Sequence, residues 1–204
     1  KRQQINVVAT DGHRLAWSSC KIKTDFTDEK IIIPRKSALE LQKLLNLYPE
    51  NVNIAFNSNQ LKVFSDEYTF ISKLIEGSYP DYEKVFPKGT EQKLKANKSL
   101  VQTALNRAAV LSNEKYRGVK FILEKDNLKI CANNPSKESA EEEVLVEYSG
   151  DSFEIGFNIS YVQESLSVIS NNEVEFVFFG SENSCLVKNI DDESLIHVIM
   201  PMRL

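Results

Sequence analysis

The sequence predicts an α+β fold made of tandem units, each a set of antiparallel strands with amphipathic helices on one face. Three observations carry this. Short β-rich apolar runs recur along the whole chain, separated by Asn, Asp, Ser and Glu at the turns. Three segments break that rhythm with a helical period. The order strand, helix, Asn-containing turn, strand then occurs twice. "IIIPRKSALELQKLLNLYPENVNIAF" is answered by "FEIGFNISYVQESLSVISNNEVEFVF", so that Val52, Ile54 and Phe56 fall on Val174, Phe176 and Phe178.

The strand candidates, in order, are "INVVAT", "KIIIP", "NVNIAF", "QLKVFS", "YTFISKLI", "VKFILE", "LKICAN", "EEVLVEYS", "FEIGF", "EVEFVF", "CLVKNI" and "LIHVIM". The first helix candidate, "PRKSALELQKLLNLY", carries Ala38, Leu41, Leu44 and Leu45 on one stripe, with Pro34 suited to an N-terminal position. The second, residues 97–113, carries Val101, Ala104, Leu105, Ala108 and Ser112 within about 60° of one another. Val110 falls on the opposite face, which ought to be wet. The third, "NISYVQESLSVIS", aligns Ile159, Val162, Leu166 and Ile169, with Tyr161 on the shoulder of the stripe. "PKGTEQKLKANK", residues 87–98, is polar and lysine-rich and reads as a linker. "INVVATDGHRLA" is also answered by "LKICANNPSKESA", but the first copy lacks the leading helix of the second. A truncated first copy would look like this, and the non-Met start fits a missing upstream part.

A chain of 204 residues with 42% hydrophobic and 26% charged residues buries a real core and is not a disordered segment. No apolar run approaches the roughly 18 residues of a membrane span. Cys20, Cys131 and Cys185 form neither CxxC pairs nor a ladder, which fits a reducing cytoplasm. No zinc spacing, P-loop or EF-hand pattern is present, so no metal or cofactor is expected. The net charge of −4 does not by itself suggest a nucleic-acid partner, although distribution matters more than the sum.

Two stretches carry candidate chemistry. "VATDGHRLAWSS" sets Asp11, His13 and Arg14 within four positions. One reading is hydrolytic, with His13 as base, Asp11 as its orienter and Ser18 or Cys20 as nucleophile, but no oxyanion hole or glycine-rich elbow accompanies it. The other is an Asp-Gly hairpin turn capped by its own side chains, whose tip presents Gly12, His13 and Leu15 as a partly apolar rim. The terminal "HVIMPMRL" reads either as core packing followed by fray or as an adaptable thioether wall, with Pro201 ending strand pairing.

Seven blocks, "ATDGHRLA", "IPRKSALELQKLL", "GSYPDYEKVFP", "AAVLSNEKYRGVKF", "ANNPSKESAEEEVLVEYSG", "IGFNISYV" and "VIMPMRL", resemble in that order the bacterial DNA polymerase III beta subunit, the replicative sliding clamp. The resemblance implies tandem clamp domains, antiparallel sheets outside and helices on the inner face. Residues 1–91 would be a second domain lacking its start, and 92–204 a third. It implies a non-catalytic ring of two subunits around double-stranded DNA. By the same resemblance, that ring would tether the polymerase III alpha subunit, the clamp loader and other proteins bearing a short peptide of the type Gln-x-x-Leu-Phe.

The peptide pocket carries over to Thr10, Gly12, His13, Leu15, Pro80, Lys84, Val85, Asn158, Tyr161, Ser184, Val198, Met200, Pro201, Met202 and Arg203. Lys84 stands where the family more often has arginine, which loses the planar fork. On this reading the opening turn is a pocket wall. Arg35, Lys36, Lys43, Arg107 and Arg117, with Lys98 and Lys115 nearby, would face DNA through sequence-blind, salt-screened contacts. Val110 and Leu111 would form the subunit contact beside Glu141–Glu143, leaving a chain without a first domain monomeric. Two rivals stand beside this reading: a hydrolase using Asp11, His13 and Asp81, and a protein-interaction module of tandem α+β repeats without DNA.

Overall fold

The computed structural model describes residues 2–26, 29–49 and 51–204; Lys1, Thr27, Asp28 and Glu50 lie outside the described residues. The chain divides into two compact units. One is Lys23–Asp81 with the very start of the chain; the other joins Gln4–Ile22 to Tyr82–Leu204. The elements run β1 (Arg2–Thr10), β2 (Arg14–Phe26), α1 (Arg35–Leu47), β3 (Asn53–Phe56), β4 (Gln60–Phe64), β5 (Thr69–Lys73), β6 (Gln92–Asn97) and α2 (Lys98–Val110). After them come β7 (Gly118–Glu124), β8 (Asn127–Asn133), β9 (Ser139–Leu145), β10 (Glu147–Tyr148), β11 (Phe153–Asn158), α3 (Ile159–Ser167), β12 (Glu173–Phe178), β13 (Cys185–Asn189) and β14 (Asp192–Ile199). A single 3₁₀ turn spans Tyr82–Val85.

In the smaller unit β3, β4 and β5 follow α1 in the chain and form an antiparallel meander. Among the described residues of this unit, Leu61 and Val63 on β4 are the large apolar side chains that reach full burial. The expected α1 stripe is only half-realised: Leu41, Leu44 and Leu45 are half-buried and Ala38 is exposed.

The larger unit holds the main core. A seven-stranded sheet, ordered β1-β2-β14-β13-β12-β6-β10, and a four-stranded sheet, β11-β7-β8-β9, each contribute one face. Between them lie the stripes of α2 (Val101, Ala104, Leu105, Ala108) and α3 (Ile159, Val162, Leu166), all buried as their spacing requires. Phe121 anchors the centre, edge-on to Phe157 at 5.4 Å and to Phe176 at 6.3 Å. Asn97 and Asn158 start the two helices by accepting N–H bonds from Leu100 (3.1 Å) and Ser160 (3.0 Å).

Three expectations need correcting. Residues 92–97, read as linker, form β6, an interior strand paired with both β12 and β10. Leu94 and Ala96 point into the core while Lys93 and Lys95 alternate outward, so the strand looks polar by composition. "KIIIP" forms no strand; the Ile32 carbonyl accepts the Ile75 N–H at 2.9 Å and the Pro34 carbonyl accepts the Ala38 N–H at 3.0 Å. "EEVLVEYS" is not one strand: the chain leaves the four-stranded sheet after Leu145 and joins the seven-stranded sheet at Glu147.

Candidate functional site

The opening turn is capped by its own side chains. Gly12 has φ 87°, a left-handed conformation that favours glycine. The Asp11 carboxylate accepts the N–H groups of His13 (3.0 Å) and Arg14 (3.1 Å), and Thr10 Oγ1 accepts from the Gly12 N–H (3.2 Å) and donates to the Arg14 carbonyl (2.7 Å). Burial works to raise the Asp11 pKa, but these bonds and the Arg14 guanidinium together hold it below its ordinary 3.8. The carboxylate is thus engaged by the turn and by Arg14, where the hydrolytic reading needs it to orient an imidazole. Among the described residues no three His, Cys, Asp or Glu side chains converge as a metal site.

Arg14 ties this turn to α3. Its Nε donates to Asp11 Oδ2 at 3.0 Å and an Nη donates to Glu164 Oε2 at 2.6 Å. The guanidinium carbon lies 4.4 Å from the Tyr161 ring centroid, and the His13 ring stacks on the same tyrosine at 6.5 Å. The sequence sets Arg14 beside Asp11 and His13 but does not assign it to the pocket. Its Asp11 partner was visible three positions away; Glu164, 150 residues on, was not.

Leu15 and Val198 are register partners on β2 and β14, exposed by only 1% and 0%, yet they lie outside the main core. They belong to an apolar row running directly across four strands: Leu15, Val198, Leu186, Val177. This row occupies the face opposite Phe176, Val187 and Ile199, which point into the core. Val177 and Leu186 were not foreseen; the signal available was β12 itself, buried on both faces from Val174 to Phe178.

The tail closes the arrangement. Beyond β14 the Met200 N–H donates to the His13 carbonyl at 3.0 Å, and the Met202 N–H donates to the Gly156 carbonyl on β11 at 2.8 Å. Pro201, between them, has no N–H to offer. Met200, Pro201 and Met202 are half-buried and Arg203 is exposed. The tail is therefore pinned at two points rather than frayed.

Thr10, Gly12, His13, Leu15, Tyr161, Val198, Met200 and Met202 are linked by these contacts, with Pro201 between the last two; Asn158 caps α3 by accepting the Ser160 N–H. Ser184 immediately precedes Cys185, the partner of Ile199. Lys84 is exposed and Val85 half-buried on the 3₁₀ turn, in the same unit. Pro80 is exposed and belongs to the smaller unit.

The basic candidates are exposed but several are tethered. Lys43 pairs with Glu40 at 3.0 Å, Arg107 with Glu142 at 3.1 Å, and Arg117 Nε reaches Ser160 Oγ at 3.4 Å. The half-buried Lys98 ammonium donates to the Ile169 carbonyl at 2.7 Å. Arg35 and Lys36 lie exposed in the first turn of α1. Val110 is 79% exposed at the end of α2, and Leu111, half-buried, is its C-cap.

The chain thus comprises two α+β units, one of which carries an apolar row between a capped turn and a pinned tail. The family models of the DNA polymerase III beta subunit match it throughout, the central domain over residues 1–81 and the C-terminal domain over 83–203. The chain belongs to the DNA polymerase III beta subunit family. It is 44% identical over 201 residues to the beta sliding clamp of Pseudomonas aeruginosa, covering 98% of this chain and 55% of that protein. It is 40% identical over 202 residues to the beta sliding clamp of Escherichia coli K12, covering 99% and 55%. A crystal structure of the Pseudomonas aeruginosa subunit superposes with a TM-score of 0.96 at 43% identity, covering 100% of this chain and 56% of that one. Another from the same organism, a sliding clamp bound to griselimycin, superposes at 0.95 with 43% identity, covering 100% and 55%. The chain thus spans little more than half the length of the relatives it matches.

Proposed function

We propose that the chain is part of a DNA sliding clamp: a non-catalytic processivity factor, working in the cytoplasm, that encircles double-stranded DNA without reading sequence. It tethers the polymerase III alpha subunit, the clamp loader and other proteins that carry a short clamp-binding peptide. Residues 1–91 serve as its second domain and 92–204 as its third. The observation that carries this is the Leu15–Val198 row, an apolar strip on the sheet face away from the core, flanked by the Asp11–Arg14 turn, Tyr161 and the Met200–Met202 tail.

A peptide with two adjacent apolar side chains places them on Leu15, Val85, Val198 and Met200, while Thr10, Gly12, His13, Pro80, Lys84, Asn158, Ser184, Pro201, Met202 and Arg203 complete the walls. Thioethers and a proline make a wall that several partners can share. Arg35, Lys36, Lys43, Arg107 and Arg117 face the DNA backbone, and Val110 with Leu111 meets the second subunit. No helix among the described residues is long and apolar enough to cross a membrane.

Fluorescence anisotropy with a labelled Gln-x-x-Leu-Phe peptide tests the groove. Binding is expected, and Leu15→Asp should weaken it by about a hundredfold, since a charge set in an apolar seat costs several kcal/mol. Equal affinity for parent and variant would remove this face from the reading.

A further inference from the structure

Two glycines sit where strands ordinarily carry side chains. Gly118 on β7 lies opposite Asn158, and Gly156 on β11 lies opposite Lys120, so the two are diagonal neighbours on one face of the four-stranded sheet. Their chain neighbours Val119, Ile155 and Phe157 point the other way, into the core. The C-terminal strap crosses this bare patch. A methyl group built on Gly156 would overlap the Met202 carbonyl oxygen and press on the Leu204 side chain at 2.9 Å. One built on Gly118 would overlap Leu204 Cδ2, with Met202 Sδ 3.8 Å away. Neither glycine has the positive φ that would explain it by backbone conformation. What requires a missing Cβ at both positions is the strap itself.

We propose that Gly118 and Gly156 are positioning residues of the groove: they form a side-chain-free seat that holds Pro201–Leu204 in place as its wall. The peptide consequence rests on the groove reading above; the seat does not. With the Met202 N–H bonded to the Gly156 carbonyl and Leu204 laid across both glycines, the strap is fixed on its outer side. Met200, bonded to His13, is fixed on its inner side. Removing the outer anchor frees the wall even though no groove residue has changed.

The chain contains two methionines, Met200 and Met202, both in the strap. Methyl-labelled methionine therefore reports the strap alone. In Gly156→Ala the Met202 methyl should move to the position of a free, solvated side chain. In Gly118→Ala it should move part of the way, and Gly118→Ala with Leu204→Ala should restore it, because trimming Leu204 clears the overlap; trimming cannot clear the backbone overlap at Gly156.

Thermal melting supplies a sign test. In an extended strand Ala is favoured over Gly, so without the strap Gly118→Ala should raise the melting temperature, while in the full chain it should lower it. Unmoved methyls in Gly156→Ala, or the same loss of stability from Gly118→Ala in a chain lacking Met202–Leu204, would overturn the seat. Gly156→Ala should weaken the labelled peptide about tenfold, matching removal of Met202–Leu204. A displaced strap with undiminished peptide affinity would overturn the positioning role. A parent that binds no peptide would overturn the groove reading while the methyl signals still decide the seat.

Discussion

Replacing Arg14 with alanine cuts every side-chain tie this residue makes between the opening turn and α3. The loss can be worked from the contacts. The Asp11 and Glu164 side chains are 46% and 62% exposed and Arg14 is 32% exposed, so each ion pair is screened and contributes about 0.5 kcal/mol. The guanidinium over Tyr161 at 4.4 Å adds about 0.5 to 1 kcal/mol. The Asp11 cap on the turn survives, because it uses backbone N–H groups. The expected destabilisation is therefore about 1.5 to 2 kcal/mol, or a drop of roughly 3 to 8 °C in melting temperature for a chain of this size. Arg14→Lys should fall between parent and alanine, since a point charge cannot serve both carboxylates in one plane. In about 1 M salt the ionic share of the loss should shrink while the ring contact persists. Melting curves at low and high salt measure both. A loss under about 0.5 kcal/mol, the range of an ordinary surface change, would show that the turn does not depend on Arg14.

Further outcomes follow from single contacts. Burial first, and then the charge of Arg14, push the His197 imidazole below its ordinary 6.5, and its Nε2 is buried with no hydrogen-bond partner among the described residues. The unfolded chain therefore binds the proton more readily: the stabilisation is present above 6.5 and is lost as pH falls below it. His197→Phe should flatten the decline in melting temperature between about pH 7 and pH 5.5, and an unchanged slope would assign that decline to other groups. Val110, 79% exposed, should tolerate alanine within about 0.5 kcal/mol of folding stability. In the full-length protein Val110→Ala with Leu111→Ala should convert dimers to monomers by sedimentation, and a persistent dimer would place the contact elsewhere. Lys36→Glu with Lys43→Glu should make the salt dependence of DNA binding shallower by a slope of about 2, with peptide affinity unchanged; an undiminished slope would make these lysines a solvated face.

The elements legible in the sequence are those whose period is carried by apolar residues alone. The stripe from Val101 to Ser112 was readable, and it is buried where predicted. β6 was not, because three of its six residues are Gln, Lys and Lys and only Leu94 and Ala96 mark the inward face. Its alternation was present, but composition hid it. Ile31–Ile33 shows the reverse error: an apolar run promises a strand only if a partner edge is available, and pairing is settled by the rest of the fold. β2 is hidden for a related reason, since Ser18, Ser19 and Cys20 interrupt its apolar pattern while its pairing with β14 supplies the missing stability.

The site divides along the same line. The turn was readable because Thr10, Asp11, Gly12 and Arg14 make their bonds to one another within five residues. Arg14 as a strut, Val177 and Leu186 as members of the apolar row, and the glycine seat were not, because each is defined by a residue far along the chain. Yet the seat left a trace. Gly118 in "RGVKF" and Gly156 in "FEIGF" stand inside strong strand patterns, where glycine costs stability and loses a packing side chain. Such a glycine asks what approaches it. Here the answer is the chain's own last residues, so the strands and the tail that crosses them are a single feature of the groove wall.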